Sequence, residues 1–308
     1  MKLQKWVATL LAVVFFCANL SLAAAQATQE LTLLEKVGVT EKFFYGQDQT
    51  GSLVDRVTRL ETDVYGVNSK NALTVKVERL YNYVKDSSID APSFLLKLNA
   101  VEWALAHTVT SGPAKNRLEQ VEQSITGQIG TGSFEGRLDK LLKLAYTDGQ
   151  IGATNATITK DTLVKIKLTS ALDSKTAKAG DTVAFQAADD VLVNGILVIG
   201  KGAEGSGKVL KAEGAQNFGR DAQLQLSFDS LKTMDGKEIA TVLGEKAKEQ
   251  NKSMATAAGA SIAGMAILGP VGIVGGIFVH GKEIKLPAGT EFFVQTKTDS
   301  EAYGIQVK

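Results

Sequence analysis

"GSLVDRVTRLETDVYGVNSK", residues Gly51–Lys70, is one unit of a pattern that recurs through the first half of the chain. Units begin at Leu31, Gly51, Asn71, Pro92, Gly112 and Gly132, a period of 20 or 21 residues running from Leu31 to Thr147. Five residues into each unit stands a base: Lys36, Arg56, Lys76, Lys97, Arg117 or Arg137. The next residue is always aliphatic, from Val37 to Leu138, and apolar residues return three and seven positions later, as in Leu60 and Val64 or Leu80 and Val84. The third residue is apolar in Leu33, Leu53, Leu73, Phe94 and Phe134. Apolar spacings of four, three and four place one stripe along a helix, and Gly, Asn, Ser or Pro punctuate the joins. A single such helix cannot bury its stripe, so neighbours must stack. The expectation for residues 26–150 is an all-α tandem repeat of antiparallel helices, as a bundle or short solenoid. The recurring base reads most simply as a solvated flank beside the stripe, with an acidic partner as the alternative.

The texture changes near Gly149. "TITKDTLVKIKLTSAL" (Thr157–Leu172) alternates apolar and polar residues, and "DTVAFQ", "VLVNGILVIG" and "TEFFVQTK" are β-branched or alternating runs. Turn signals at Lys178–Asp181, Asn194-Gly195 and Asp235-Gly236 separate them. Residues 151–308 therefore read as an antiparallel β sandwich or small barrel, giving an α+β chain with its two kinds of structure in separate domains.

"GAEGSGKV" (Gly202–Val209) nearly matches a phosphate-binding loop, with Gly202, Gly207 and Lys208 in place but Val209 where a hydroxyl should hold Mg²⁺. Such a loop needs a helix after it, and here strand, turn and strand follow. Nucleotide binding is not expected; the glycines read as a tight connection between two strands.

Export is legible at the start. Lys2 and Lys5, an apolar run from Trp6 to Phe16 and the small residues Ala23-Ala24-Ala25 compose a cleavable signal over residues 1–25. Cys17, the chain's one cysteine, lies inside it, and Phe16 before it argues against lipidation. Removal of Lys2 and Lys5 leaves 32 bases against 33 acids, a balance that does not favour nucleic acid.

From Met254 to Val279 there is no charged residue, over 26 positions. Small-xxx-small lines run through Ala255, Gly259 and Ala263, through Ala260 and Gly264, and through Gly272 and Gly276. Strand-like sequence on both sides belongs to one β domain, since Ile158–Ile166 lines up with Leu286–Val294, so a simple membrane crossing is disfavoured. Gly269-Pro270 supplies a turn, and the expectation is an apolar, glycine-rich helical hairpin inserted at residues 254–281. Gly259, Gly264, Gly269, Pro270, Gly272, Gly275 and Gly276 are its candidate membrane or self-association residues. Packing of the hairpin within its own domain stays open as the alternative.

The segments "TLVKIKLTSALDSKTAKAGDTVAFQ", "LQLSFDSLKTMDGKEI", the glycine zipper and "IKLPAGTEFFVQ" together resemble exported bacterial envelope proteins whose β domain is interrupted by a glycine-zipper segment. More distantly, their order is similar to the β domain of the outer-membrane-core scaffolds of type IV secretion and conjugation systems. Ile199-Gly200-Lys201-Gly202 and Leu286-Pro287-Ala288-Gly289-Thr290 hold the matching places over roughly residues 157–300. The resemblance implies a multimeric ring at the outer membrane; the helical repeat is foreign to that family.

Catalytic patterns are absent from the sequence. His107 and His280 lie far apart without metal-ligand spacing, and Asp189-Asp190 reads as an acidic turn. No G-x-S-x-G, H-E-x-x-H or EF-hand pattern occurs. The expectation is a non-enzymatic envelope scaffold without cofactor, catalytic group or metal, in the periplasm or at the outer membrane or cell surface. Its helical repeats would dock a protein partner, and residues 254–279 would meet membrane or sister copies. A soluble periplasmic or surface binding module is the alternative, and a wall-polymer hydrolase a remote one.

Overall fold

The computed structural model describes residues 30–215, 220–257, 266–267, 276–281 and 284–307; the segment read as a signal peptide lies outside them. Each repeat unit forms one helix: α1 (Leu33–Tyr45), α2 (Leu53–Tyr65), α3 (Leu73–Lys85), α4 (Phe94–Ala106), α5 (Ala114–Thr126) and α6 (Phe134–Ala145). Local chemistry sets the ends. The side chains of Thr32, Ser52, Ser93 and Ser133 accept from backbone N–H groups in the first turn, and Glu35 closes a capping box with Thr32. At the other end Gly46, Gly66 and Gly127 take the left-handed conformation that releases the chain from the helix, and His107 does so at φ 52°.

The helices form a bundle rather than an open solenoid, because contacts reach beyond sequence neighbours. Helix α1 packs on α3 and α5, α2 on α3 and α6, and α4 on α5 and α6. At the centre, Phe44 of α1 lies 5.1 Å from the Phe94 ring of α4 and 5.3 Å from the Phe134 ring of α6. Phe94 and Phe134 occupy the apolar third position of their units. Phe44 stands seven positions after Val37, the place of Val64 and Val84 in their units, and only the assembled bundle shows what it meets.

The β domain contains β1 (Ala153–Ile158), β2 (Leu163–Leu168), β3 (Leu172–Asp173), β4 (Thr182–Ala187), β5 (Val191–Val193), β6 (Ile196–Ile199) and β7 (Glu204–Glu213). It continues with β8 (Ala222–Ser227), β9 (Ser230–Lys232), β10 (Glu238–Val242), helix α7 (Glu245–Ala257), β11 (Ala266–Ile267) and β12 (Gly276–Gly281). The last strands are β13 (Lys285–Leu286), β14 (Glu291–Thr296) and β15 (Ser300–Gln306). Strands β7, β4, β2, β14, β10 and β9 pair in that order, and β9 returns to β7, closing a six-stranded antiparallel barrel. Its interior is filled rather than open: alternate residues such as Val164, Ile166, Val183 and Val294 are buried, around Phe185, Phe228 and Phe292. The two segments whose sequences line up, around β2 and β14, are antiparallel partners in this barrel. A second sheet, in the order β1-β15-β6-β5, lies beside it.

The β10–β14 seam is short, with Thr241 opposite Thr296 and Val242 opposite Gln295. Helix α7 continues it. The Asn251 side-chain amide accepts from the Phe293 N–H at 2.7 Å and donates to the Phe293 carbonyl at 2.9 Å, as a partner strand would. The Gln295 side chain accepts from the Ala247 N–H in the first part of α7.

The helical hairpin expected at 254–281 is corrected where residues are described. Helix persists to Ala257, but Gly276–Gly281 is a strand, paired antiparallel with β8 from Gly276 opposite Ser227 to Gly281 opposite Ala222, and with β11 on its other side. Ile277, Phe278 and Val279 are β-formers, and an adjoining strand supplies backbone partners that helical periodicity cannot anticipate. Of the candidate residues, Gly276 opens β12; Gly259, Gly264, Gly269, Pro270, Gly272 and Gly275 lie outside the described residues. Among the described residues no helix is long and apolar enough to cross a membrane.

Candidate functional site

Chemistry in the helical domain concentrates on the recurring bases, and these are not solvated flanks. Four of the six, Arg56, Lys76, Arg117 and Arg137, reach back to a glutamate fifteen residues earlier, on the preceding helix. Arg56 grips Glu41 with Nε at 3.0 Å and Nη2 at 2.6 Å; Arg117 grips Glu102 at 2.9 and 2.8 Å; Arg137 grips Glu122 at 3.0 and 2.6 Å. Lys76 meets Glu61 at 2.8 Å. The same four carboxylates accept from backbone N–H groups in the loop between the helices, those of Gln49, Ser69, Thr110 and Gly130, at 2.7–2.9 Å. Every latch therefore fastens helix, loop and next helix at one carboxylate, with charge-assisted bonds that are fork-like where the base is arginine. Lys36, with no preceding unit, reaches Glu78 on α3 at 2.6 Å. The correction has a signal in the sequence: Glu41, Glu61, Glu102 and Glu122 each follow their own helix's base by five residues. Between α3 and α4 that place holds Tyr81, and Lys97 lies instead over the Tyr83 ring.

Burial pushes the Glu122 carboxyl upward, but the Arg137 hydrogen bond, the Gly130 N–H and the guanidinium charge outweigh it and hold it below its ordinary value. Glu61 is held low in the same way by Lys76 and Ser69 against its own desolvation. A carboxyl with a depressed folded pKa contributes stability above its unfolded pKa of about 4.3 and loses it as pH falls through the folded value. The urea midpoint is thus expected to hold from neutral pH to about 4.5 and to drop below that. Glu122→Gln should start lower and show a shallower acid limb; an unchanged limb would count against the latch as a source of acid sensitivity.

The helices meet the β domain through α4 and the loop after it. Asn99 donates to the Met234 carbonyl at 2.7 Å, Trp103 Nε1 donates to Asp190 at 2.8 Å, and the Val109 N–H donates to the Lys201 carbonyl at 2.7 Å. Asp190 also accepts from the Lys201 N–H at 2.6 Å. The acidic turn Asp189-Asp190 thus places one carboxylate in the joint. The near phosphate loop is explained here as well: residues 200–203 turn between β6 and β7. Gly202, at φ 92°, lies where a Cβ would come within 2.1 Å of the Val109 carbonyl oxygen. A Cβ on Gly207 would come within 2.0 Å of the Ser227 carbonyl oxygen. Both glycines serve close backbone approach, and strand β7 occupies the place where a phosphate loop needs a helix.

Beside this joint lies a groove of about 1020 Å³. One wall is Val39 and Phe43 of α1 with residues 84–87 at the end of α3; the other is the β9–β10 turn and residues 301–303 of β15. His107 caps α4 outside this groove, and His280 lies in β12. Among the described residues no three His, Cys, Asp or Glu side chains are placed to hold a metal ion.

No family model and no curated protein matches this chain. Among solved structures it is similar to ComB10 of the Com type IV secretion system of Helicobacter pylori, with 15% identity over 46% of this chain and 88% of that one, at a TM-score of 0.25. A likeness of that size leaves the functional reading to the residues of this chain.

Proposed function

We propose that this chain is a non-catalytic scaffold of the bacterial cell envelope. Exported by residues 1–25, it offers its helical domain, residues 26–150, to a protein partner. Its β domain, residues 151–308, holds to a membrane or to sister copies through the glycine-rich insertion at 254–281. One observation carries the non-catalytic part: the eight buried charged side chains of the described residues (Lys36, Glu41, Glu61, Lys76, Glu102, Arg117, Glu122 and Arg137) are all engaged in ion pairs within the helical bundle. Perturbed, buried ionisable groups are where catalysis is usually found, and here they serve as fasteners between helices. The uncharged run Met254–Val279, longer than about 20 residues, supports the membrane part.

A second reading, a soluble binding module whose insertion is an ordinary part of the sheet, is favoured by the six-residue pairing of β12 with β8. Fractionation separates the two. The full chain is expected in the membrane pellet, released by detergent, and a chain lacking residues 254–279 in the soluble fraction. Sedimentation of the shortened chain with membranes removes the anchoring role, and a soluble full chain favours the binding module.

A further inference from the structure

We propose that the groove between α1, the end of α3 and the β domain is the partner-docking site, and that it takes a basic, extended peptide segment. The inference rests on the scaffold reading and names the partner's chemistry. Both domains line the groove, so an occupant touches helices and barrel at once. Two modes of peptide capture compete in such a place: pairing with a strand edge, and reading of side chains. The strand edge is already occupied. Tyr303 N–H donates to Asp235 at 2.9 Å, and Lys237 Nζ donates to the Glu301 carbonyl at 2.6 Å, so the β9–β10 turn covers the edge of β15 that faces it. Recognition therefore falls to side chains. Asp86, Glu238 and Glu301 bring carboxylates to the groove that have no hydrogen-bond or ion-pair partner among the described residues, against one such ammonium, Lys85. Lys232 is ion-paired with Glu204 at 2.9 Å. Lys237 donates to the neutral Glu301 carbonyl and keeps its charge, as Asp235 does with the Thr233 hydroxyl and the Tyr303 N–H. Among the described residues, four carboxylates of the groove (Asp86, Asp235, Glu238, Glu301) thus stand against two ammonium groups (Lys85, Lys237) outside ion pairs. The unpaired charge of the groove is acidic, and apolar surface at Val39, Phe43 and Leu95 lies between the charges to receive aliphatic stems.

The test uses the full chain in detergent and two labelled peptides, one alternating arginine with serine and one with glutamate in place of arginine, followed by fluorescence anisotropy at low and high salt. The arginine peptide should bind, with an affinity that falls as salt rises, and the glutamate peptide should not. Asp86→Lys combined with Glu301→Lys should weaken binding about tenfold, while Glu119→Lys combined with Glu249→Lys, outside the groove, should change it less than about twofold. Unchanged thermal unfolding of each double variant shows that the fold is intact. Equal losses in the two double variants, or no binding of the arginine peptide, overturn the groove assignment. Detergent-dependent membrane partition is read in parallel: if it persists while peptide binding fails, the groove proposal falls and the scaffold reading stands.

Discussion

Glu102→Ala is expected to destabilise the chain by about 3–5 kcal/mol, the range for removing one partner of a buried ion pair. The Glu102 carboxylate accepts from Arg117 Nε and Nη2, from the Thr110 N–H at 2.7 Å and from the Thr110 hydroxyl at 2.7 Å. The two charged side chains are 2% and 5% exposed, so the guanidinium left behind keeps little access to water. The loss extends past the helix pair. Arg117 Nη2 also donates to Asn99 Oδ1, and Asn99 in turn donates to Met234, so the latch helps orient the side chain that ties α4 to the β domain. By the usual scaling, about 2–4 °C per kcal/mol, the melting temperature should fall by about 10 °C, read by circular dichroism. Adding Arg117→Ala should recover part of the loss, because the stranded charge is then gone. A single variant that melts within about 1 °C of the parent would show that the pair contributes no net stability.

Gly202→Ala is the second large effect. A methyl group there must avoid the Val109 carbonyl oxygen at 2.1 Å and the Thr108 hydroxyl at 2.7 Å, and φ 92° lies where residues with a side chain are strained. Neither neighbour is the free end of a long side chain. Val109 is backbone, held by its own N–H on the Lys201 carbonyl, so relief requires the α4 loop to lift from the β6–β7 turn. The expected cost is about 3 kcal/mol or more, with the Val109–Lys201 bond lost first. Hydrogen exchange should therefore accelerate at Val109 and along α4 before the barrel strands respond. Uniform acceleration across helices and barrel, or none, would assign Gly202 to general stability rather than to the joint. Gly180 is the contrasting case: a Cβ there meets nothing within 4 Å, so strain at φ 95° is the main cost of an alanine.

The latches show how much was legible and where reading stopped. The 20-residue period, the apolar stripe and the Gly, Asn, Ser or Pro at the joins specify six helices because such signals act over one to four residues, and the structure places a helix in each unit. The base at the sixth position was visible; its burial was not, because a helical wheel puts a base beside the stripe without showing what lies across from it. The glutamates were in view at a constant offset, but their meaning depends on the preceding helix lying close enough for Arg56 to reach Glu41. The near phosphate loop was rejected on local grounds, from the strand that follows it, while the reason for Gly202 lay about ninety residues away at Val109.

The sequence by itself thus determined the helix count and spacing, the alternating strands and the uncharged run, all set by forces between residues near one another in the chain. Tertiary structure alone decided the closure of the barrel by β7 with β9, the paired burial of the repeating charges, the strand at Gly276–Gly281 and the groove between the domains. Each of these depends on which surfaces meet after the chain folds back on itself, and desolvation and close backbone approach act only once they have met.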